Sequence, residues 1–149
     1  FFLQFGYPGE TWTELQETIA LVRQLRPDDV GISLSYPLPG TIFYERVRAQ
    51  LGTKRNWTDS DDLCIMFKAA YTTEFYRAVR EALHAEVDSW NQRETEGELN
   101  ARVDALWQMV DEMEPLNRVS DAFEFPKTIN VIASSSLVSI EQLTSLRKI

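Results

Sequence analysis

Two short apolar runs, each stopped by a turn rich in proline and glycine, constrain this chain more than any other feature. Phe1 to Phe5 runs into Gly6-Tyr7-Pro8-Gly9, and Val30 to Ser35 runs into Tyr36-Pro37-Leu38-Pro39-Gly40-Thr41. A short, continuously apolar run bounded by turn residues reads as a strand buried on both faces. Between the two runs, Thr11 and Glu14 have capping-box spacing. Trp12, Leu15, Ile19, Val22 and Leu25 then recur at steps of three and four, which predicts one amphipathic helix closed by Pro27. A second helix follows the second turn, with Phe43, Val47 and Leu51 on one face and Gly52 as its C′ residue. Strands separated by a helix are expected to pair in parallel. Two parallel strands, however, leave edges and apolar faces uncovered. The expectation is therefore the C-terminal piece of a larger α/β domain, and the opening on Phe1-Phe2-Leu3, within a strand, points the same way.

The second half is helical. Trp57-Thr58-Asp59-Ser60-Asp61-Asp62 is acidic and rich in N-cap residues. A long helix is expected from about Leu63 to Gln92, with a break near Tyr71-Thr72-Thr73. Leu63, Phe67, Ala70, Phe75, Val79, Leu83, Val87 and Trp90 are its apolar positions. After a break at Arg93 to Gly97, a further helix spans about Glu98 to Glu114 and is stopped by Pro115. Its apolar positions are Leu99, Val103, Leu106, Val110 and Met113. The tail carries an apolar stretch at 128–133, a serine-rich turn at 134–136 and a short helix after Val138.

Composition narrows the chemistry. The 149 residues hold 15 Lys+Arg against 23 Asp+Glu, a formal charge of −8, which argues against a nucleic-acid partner. No apolar run approaches the roughly 20 residues of a membrane span, and no signal peptide is visible, so a cytoplasmic location is expected. One cysteine (Cys64) and one histidine (His84) exclude a self-contained zinc or iron–sulfur site. Cys64 lies among Leu63, Ile65 and Met66 and reads as a buried small hydrophobe. His84 reads as a partly exposed side chain beside Glu81 and Glu86, and Trp57 and Trp107 as core or interface anchors. Asp59, Asp61 and Asp62 lack the spacing of a calcium loop and read as helix caps.

The two turns follow strand carboxyl ends, where ligands of parallel α/β folds sit. Either they are structural βα turns, or Gly6 and the helix N-termini approach a phosphate or nucleotide. Neither turn carries a P-loop ending or a full Gly-x-Gly-x-x-Gly, and Glu10 would repel an anion. A stand-alone helical interaction module built on residues 63–114 is a further alternative.

Residues 1–11 (Phe-Phe-Leu-Gln-Phe-Gly-Tyr-Pro-Gly-Glu-Thr) and 27–44 (Pro-Asp-Asp-Val-Gly-Ile-Ser-Leu-Ser-Tyr-Pro-Leu-Pro-Gly-Thr-Ile-Phe-Tyr) resemble the last part of a radical S-adenosylmethionine domain. The likeness is to the cobalamin (B12)-binding branch, of the anaerobic magnesium-protoporphyrin IX monomethyl ester oxidative cyclase type. Asn56-Trp57-Thr58-Asp59-Ser60-Asp61-Asp62-Leu63 and Tyr71-Thr72-Thr73-Glu74-Phe75-Tyr76 resemble it too, so the likeness covers about residues 1–90. It implies an α/β fragment: the last two βα units of a partial (β/α)6 TIM-like barrel, followed by a helical C-terminal extension. Residues 1–52 would be the barrel part, 53–93 an extension packed on it, and 94–149 a helical region and tail.

In such enzymes a three-cysteine loop binds a [4Fe-4S] cluster, which cleaves S-adenosylmethionine to a 5′-deoxyadenosyl radical. That loop is not in this chain, nor is a cobalamin-binding region, so the chain would hold no metal ligand and be inactive alone. Its expected role is the adenine and substrate side of the pocket, through Leu3, Gln4, Phe5, Gly6, Leu34, Ser35 and Tyr36. Its expected partners are a small-molecule substrate and the missing N-terminal half of the barrel. The family's fifth-strand pattern, Gly-x-Ile-x-Gly-x-x-Glu, is altered here: Phe2 replaces the first glycine, and the glutamate falls one place late, at Glu10.

Overall fold

A computed structural model describes residues 1–52, 63–91 and 96–124. Expectations for Trp57, the Asp59/Asp61/Asp62 cluster, the side chain of Leu99 and the tail at 128–149 lie outside what it describes. The described residues form a small α/β fold with two strands and four α-helices. In chain order these are β1 (Phe2–Phe5), α1 (Trp12–Leu25), β2 (Gly31–Leu34), α2 (Ile42–Val47), α3 (Thr73–Asn91) and α4 (Glu96–Met113). Short 3-10 turns extend α2 (Arg48–Gln50) and α4 (Glu114–Leu116).

The two strands pair in parallel, with Phe2 opposite Gly31 and Phe5 opposite Leu34. Helix α1 makes the crossover, and its start is the expected capping box. Glu14 N–H donates to Thr11 Oγ1 at 3.3 Å, while Thr11 N–H donates to Glu14 Oε2 at 2.7 Å. Two amides that the helix leaves unbonded are thereby satisfied. The helix ends at Arg26, which takes a left-handed conformation with φ 43° just before Pro27. Leu15, Ile19 and Val22 are buried as their spacing predicts, but Leu25 is half exposed because the helix runs past the core there.

Helix α3 is shorter than the sequence suggests. It begins at Thr73, not near Leu63, and residues 63–72 are irregular. Leu63 has φ 55°, outside the right-handed helical region. Met66, Phe67 and Tyr71 still turn inward, so their spacing imitates a helical stripe without a helix. The segment is held by other bonds. Ile65 N–H donates to Thr73 Oγ1, Tyr71 bridges to Arg118, and Thr72 Oγ1 accepts from Phe75 N–H at the head of α3.

One hydrophobic cluster contains residues from every described part of the chain. Phe5 of β1, Leu15, Ile19 and Val22 of α1, Val47 of α2, Phe75, Tyr76, Val79, Leu83 and Val87 of α3, and Val110 of α4 are all buried in it. Trp12 meets Phe75 edge-on at 5.8 Å, and Phe43 meets Phe67 edge-on at 5.0 Å. Polar contacts lock the same three helices together. Glu86 accepts from Arg23 Nε at 2.8 Å and from Trp107 Nε1 at 2.7 Å, while the Arg23 guanidinium lies over the Trp107 ring. Trp107 is thus an anchor between helices, as expected for it.

Because Leu15 is fully buried in this cluster, Leu15→Ala is expected to cost about 2–5 kcal/mol. Thr11→Ala, which removes only the cap, is expected to cost about 1 kcal/mol. Urea denaturation of both variants checks the ranking.

Candidate functional site

The strands have two unlike faces. Leu3, Phe5, Ile32 and Leu34 point toward the helices and are buried or half-buried. The alternate residues Phe2, Gln4 and Ser33 are exposed, and Phe2 is 98% so. Gly31 completes that face: a Cβ there would meet the Phe2 ring at 2.9 Å. The edge of β1 is open as well. Gly31 N–H donates to Phe1 O and Ser35 N–H to Phe5 O, so Phe1, Leu3 and Phe5 turn their peptide groups toward β2. The amides of Phe2 and Gln4 then point to the other edge, where no strand pairs among the described residues.

At the carboxyl ends of the strands, Gly6 opens the first turn with φ +74°. Any Cβ at Gly6 would be strained there, and it would stand 3.7 Å from both Leu34 and Tyr76. The Gly6 N–H donates to Glu10 Oε2 at 2.8 Å, and the Tyr76 hydroxyl donates to the same oxygen at 2.9 Å. Glu10 therefore works inside the turn: it takes the amide that a phosphate would have used and ties the strand end to α3. Burial pushes its pKa above the usual carboxylate value, against the opposing pull of Gly6 N–H and the Tyr76 hydroxyl. Burial next to this carboxylate also pushes the Tyr76 phenol well up.

On the neighbouring strand end, the Ser35 hydroxyl is buried and has no hydrogen-bond partner among the described residues. A buried hydroxyl left unpaired costs about 1–3 kcal/mol. It is the polar atom at this end of the sheet whose bonding is incomplete.

These positions divide the seven residues expected to line a cofactor pocket. Gln4 faces the bare side of the sheet. Gly6 and Ser35 stand at the strand ends, and Tyr36 packs partly against the core beside them. Leu3, Phe5 and Leu34 are turned to the helices, so their side chains belong to the core face. The sequence reading took both faces of each strand together. The two-residue alternation of a strand separates them, and Ser33 joins Gln4 on the bare face. The Glu10–Tyr76 contact spans 66 residues and left no local signal in the sequence.

The remaining candidates are placed as follows. Cys64 is half-buried, not fully buried, with its thiol 3.7 Å from the Ile65 carbonyl oxygen, because the irregular segment holds it near the surface. His84 is half-buried on α3, with Nε2 buried and unpartnered among the described residues. Among those residues no group of three or more His, Cys, Asp or Glu is placed to hold a metal, and no helix is long and apolar enough to cross a membrane. Helices α3 and α4 bury Val79, Leu83, Val87, Val103 and Val110, so those side chains are not on offer to a partner.

A further carboxylate, Glu114, is buried beside Tyr71, whose ring lies 6.0 Å from that of Tyr76. Glu114 accepts from Arg118 through both its oxygens at 2.7 Å and from the Tyr71 hydroxyl at 2.6 Å. The Arg118 guanidinium holds the Glu114 carboxyl below the usual range, and burial beside Glu114 pushes Tyr71 up to about 12.

No family model matches the chain, and no similar curated protein or solved structure was found.

Glu10 and Glu114 should give opposite pH dependences. Glu10 binds its proton more tightly folded than unfolded, so its contribution is full below the ordinary value of 4.5 and is lost as pH rises through its folded pKa. Glu114 contributes above 4.5 and loses that contribution as pH falls through its lowered folded pKa. Urea denaturation across acidic to neutral pH is expected to show the advantage of the native chain shrinking with rising pH against Glu10→Gln. Against Glu114→Gln the same advantage is expected to grow.

Proposed function

We propose that residues 1–52 are two βα units in the wall of a radical S-adenosylmethionine barrel of the cobalamin-associated branch, and that the helices of residues 63–124 buttress them from outside. One observation supports this reading: among the described residues, helices cover one face of a parallel strand pair, while Phe2, Gln4 and Ser33 on the other face are exposed and no strand pairs with the far edge of β1. In a doubly wound sheet both faces are covered by helices; in a barrel the helices lie outside and the inner face lines the lumen. The resemblance of residues 1–11 and 27–44 names the kind of barrel.

On this reading Gln4 and Ser33 project into the lumen and present an amide and a hydroxyl to bound molecules. Gly6 and Ser35 lie at the carboxyl ends, where the adenine and substrate side of the pocket would form. The Ser35 hydroxyl, buried and without a partner among the described residues, fits a polar contact to the cofactor. Leu3, Phe5 and Leu34 hold the wall against α1 and α3 from behind. Glu10 and Tyr76 fix the shape of the first turn, which sets where the Gly6 backbone stands. When bound in the completed barrel, S-adenosylmethionine and the cluster supply radical chemistry, and the cluster ligands come from outside this chain. A small-molecule substrate, and cobalamin in the parent enzyme, belong to the same proposal.

The test is complementation. This chain is co-expressed with the first four βα units of a radical S-adenosylmethionine barrel that carry the three-cysteine loop. The expected result is co-purification and reductive formation of 5′-deoxyadenosine that neither piece gives alone. Ser33→Trp, which fills the lumen face, is expected to keep co-purification but lower 5′-deoxyadenosine formation at least about tenfold. Failure of the two pieces to associate would contradict the proposal, as would full activity with Ser33→Trp.

A further inference from the structure

Away from the strands, α3 and α4 enclose an open cleft of about 570 Å³ lined by Arg77, Arg80, Glu81, His84, Asp88 and Arg102, with Ala85 as its small apolar floor. The α3 members fall at steps of three and four, on a side of the helix turned away from Val79 and Leu83, with Arg80 at its border with the core stripe. Arg102 reaches in from α4. Three guanidiniums against two carboxylates leave this cleft with an excess of positive charge in a chain whose formal charge is −8. A second observation points the same way. The Nε2 of His84 is buried and has no hydrogen-bond partner among the described residues, although carboxylates and guanidiniums line the same cleft.

We infer that this cleft binds a phosphate group, held by Arg77, Arg80 and Arg102 and completed by His84, whose Nε2–H reaches the anion when the ring turns toward the cleft. Guanidinium forks match phosphate oxygens two at a time. Donors arriving from two helices surround a tetrahedral anion better than they serve a planar carboxylate, which accepts in one plane. Glu81 and Asp88 offset part of the arginine charge and can accept from hydroxyls next to the phosphate. The cleft is larger than a phosphate ion, so it has room for the organic part of a phosphate ester. The βα turns offer less: Glu10 already occupies the Gly6 amide, and the Thr11–Glu14 box uses amides at the start of α1. This inference rests on α3 and α4 alone and does not depend on the barrel proposal.

Titration calorimetry on the full 149-residue chain tests it, with inorganic phosphate, pyrophosphate and ribose 5-phosphate as separate probes. Saturable binding is expected, weakened at least about tenfold in Arg80→Gln, Arg102→Gln and His84→Phe, and unchanged in Arg48→Gln on the 3-10 turn after α2. Tighter binding of ribose 5-phosphate than of phosphate would assign the site to an ester, and equal binding to the free ion; both support the inference. Arg102 is exposed on α4, so Arg102→Gln leaves the core intact and carries the test if an α3 variant unfolds. Absence of saturable heat with all three probes would overturn the inference. Equal weakening by Arg48→Gln, the mark of unspecific charge attraction, would overturn it too.

Discussion

A parallel strand pair cannot satisfy its own edges, and everything else in this molecule is arranged around that constraint. The crossover helix α1 and the long helix α3 cover one face of the pair, burying Phe5 with Leu15, Ile19, Val22, Phe75 and Val79. The other face keeps Phe2, Gln4 and Ser33 in solvent, and the edge of β1 keeps its peptide groups unpaired among the described residues. Hydrophobic burial on one side supplies the stability, while the bare side and edge are left for something to cover. That asymmetry is the basis of the barrel proposal, since the strands of a barrel carry helices on their outer face alone.

Three carboxylates, Glu114 buried and Glu10 and Glu86 half-buried, hold the covered side in place. Glu10 joins the Gly6 amide to Tyr76, Glu86 joins Arg23 to Trp107, and Glu114 joins Tyr71 to Arg118. Each link crosses between elements that apolar packing alone could let slide. Glu114 takes an arginine partner, which holds its carboxyl below the usual range. Glu10 has only neutral donors, an amide and a phenol, and burial accordingly raises its pKa. The carboxylate nearest the strand ends is thus the one whose charge is least secure.

Local pattern made most of the architecture legible. The capping box at Thr11 and Glu14, the stripe of Leu15, Ile19 and Val22, and the turn residues at Gly6 gave β1, α1 and β2 in the right order and orientation. Periodicity misled at Leu63, Phe67 and Ala70, where apolar spacing comes from an irregular segment pinned by Thr73 and Arg118. The candidate site was only half legible. Gly6 and Ser35 were singled out because the carboxyl ends of parallel strands are where ligands of such folds sit. Leu3, Phe5 and Leu34 were included because a wholly apolar strand does not declare which face meets the core. Tyr76 could not be found by any local rule, since its partner Glu10 is distant in sequence. Arg77, Arg80 and His84 share one face by helical spacing, but Arg102, which meets them from α4, is distant in sequence.

Residue-resolved hydrogen exchange on β1 tests the central claim most directly. In the chain alone, the amides of Leu3 and Phe5 should exchange slowly, because they face β2, while those of Phe2 and Gln4 should exchange at close to the rate of an open chain. On adding the barrel units of the proposed complementation, Phe2 and Gln4 should become protected as a new strand pairs with that edge. Slow exchange at Phe2 and Gln4 in the chain alone would mean that the edge is already covered. No change on adding those units would mean that the edge does not pair with them; either result contradicts the proposal.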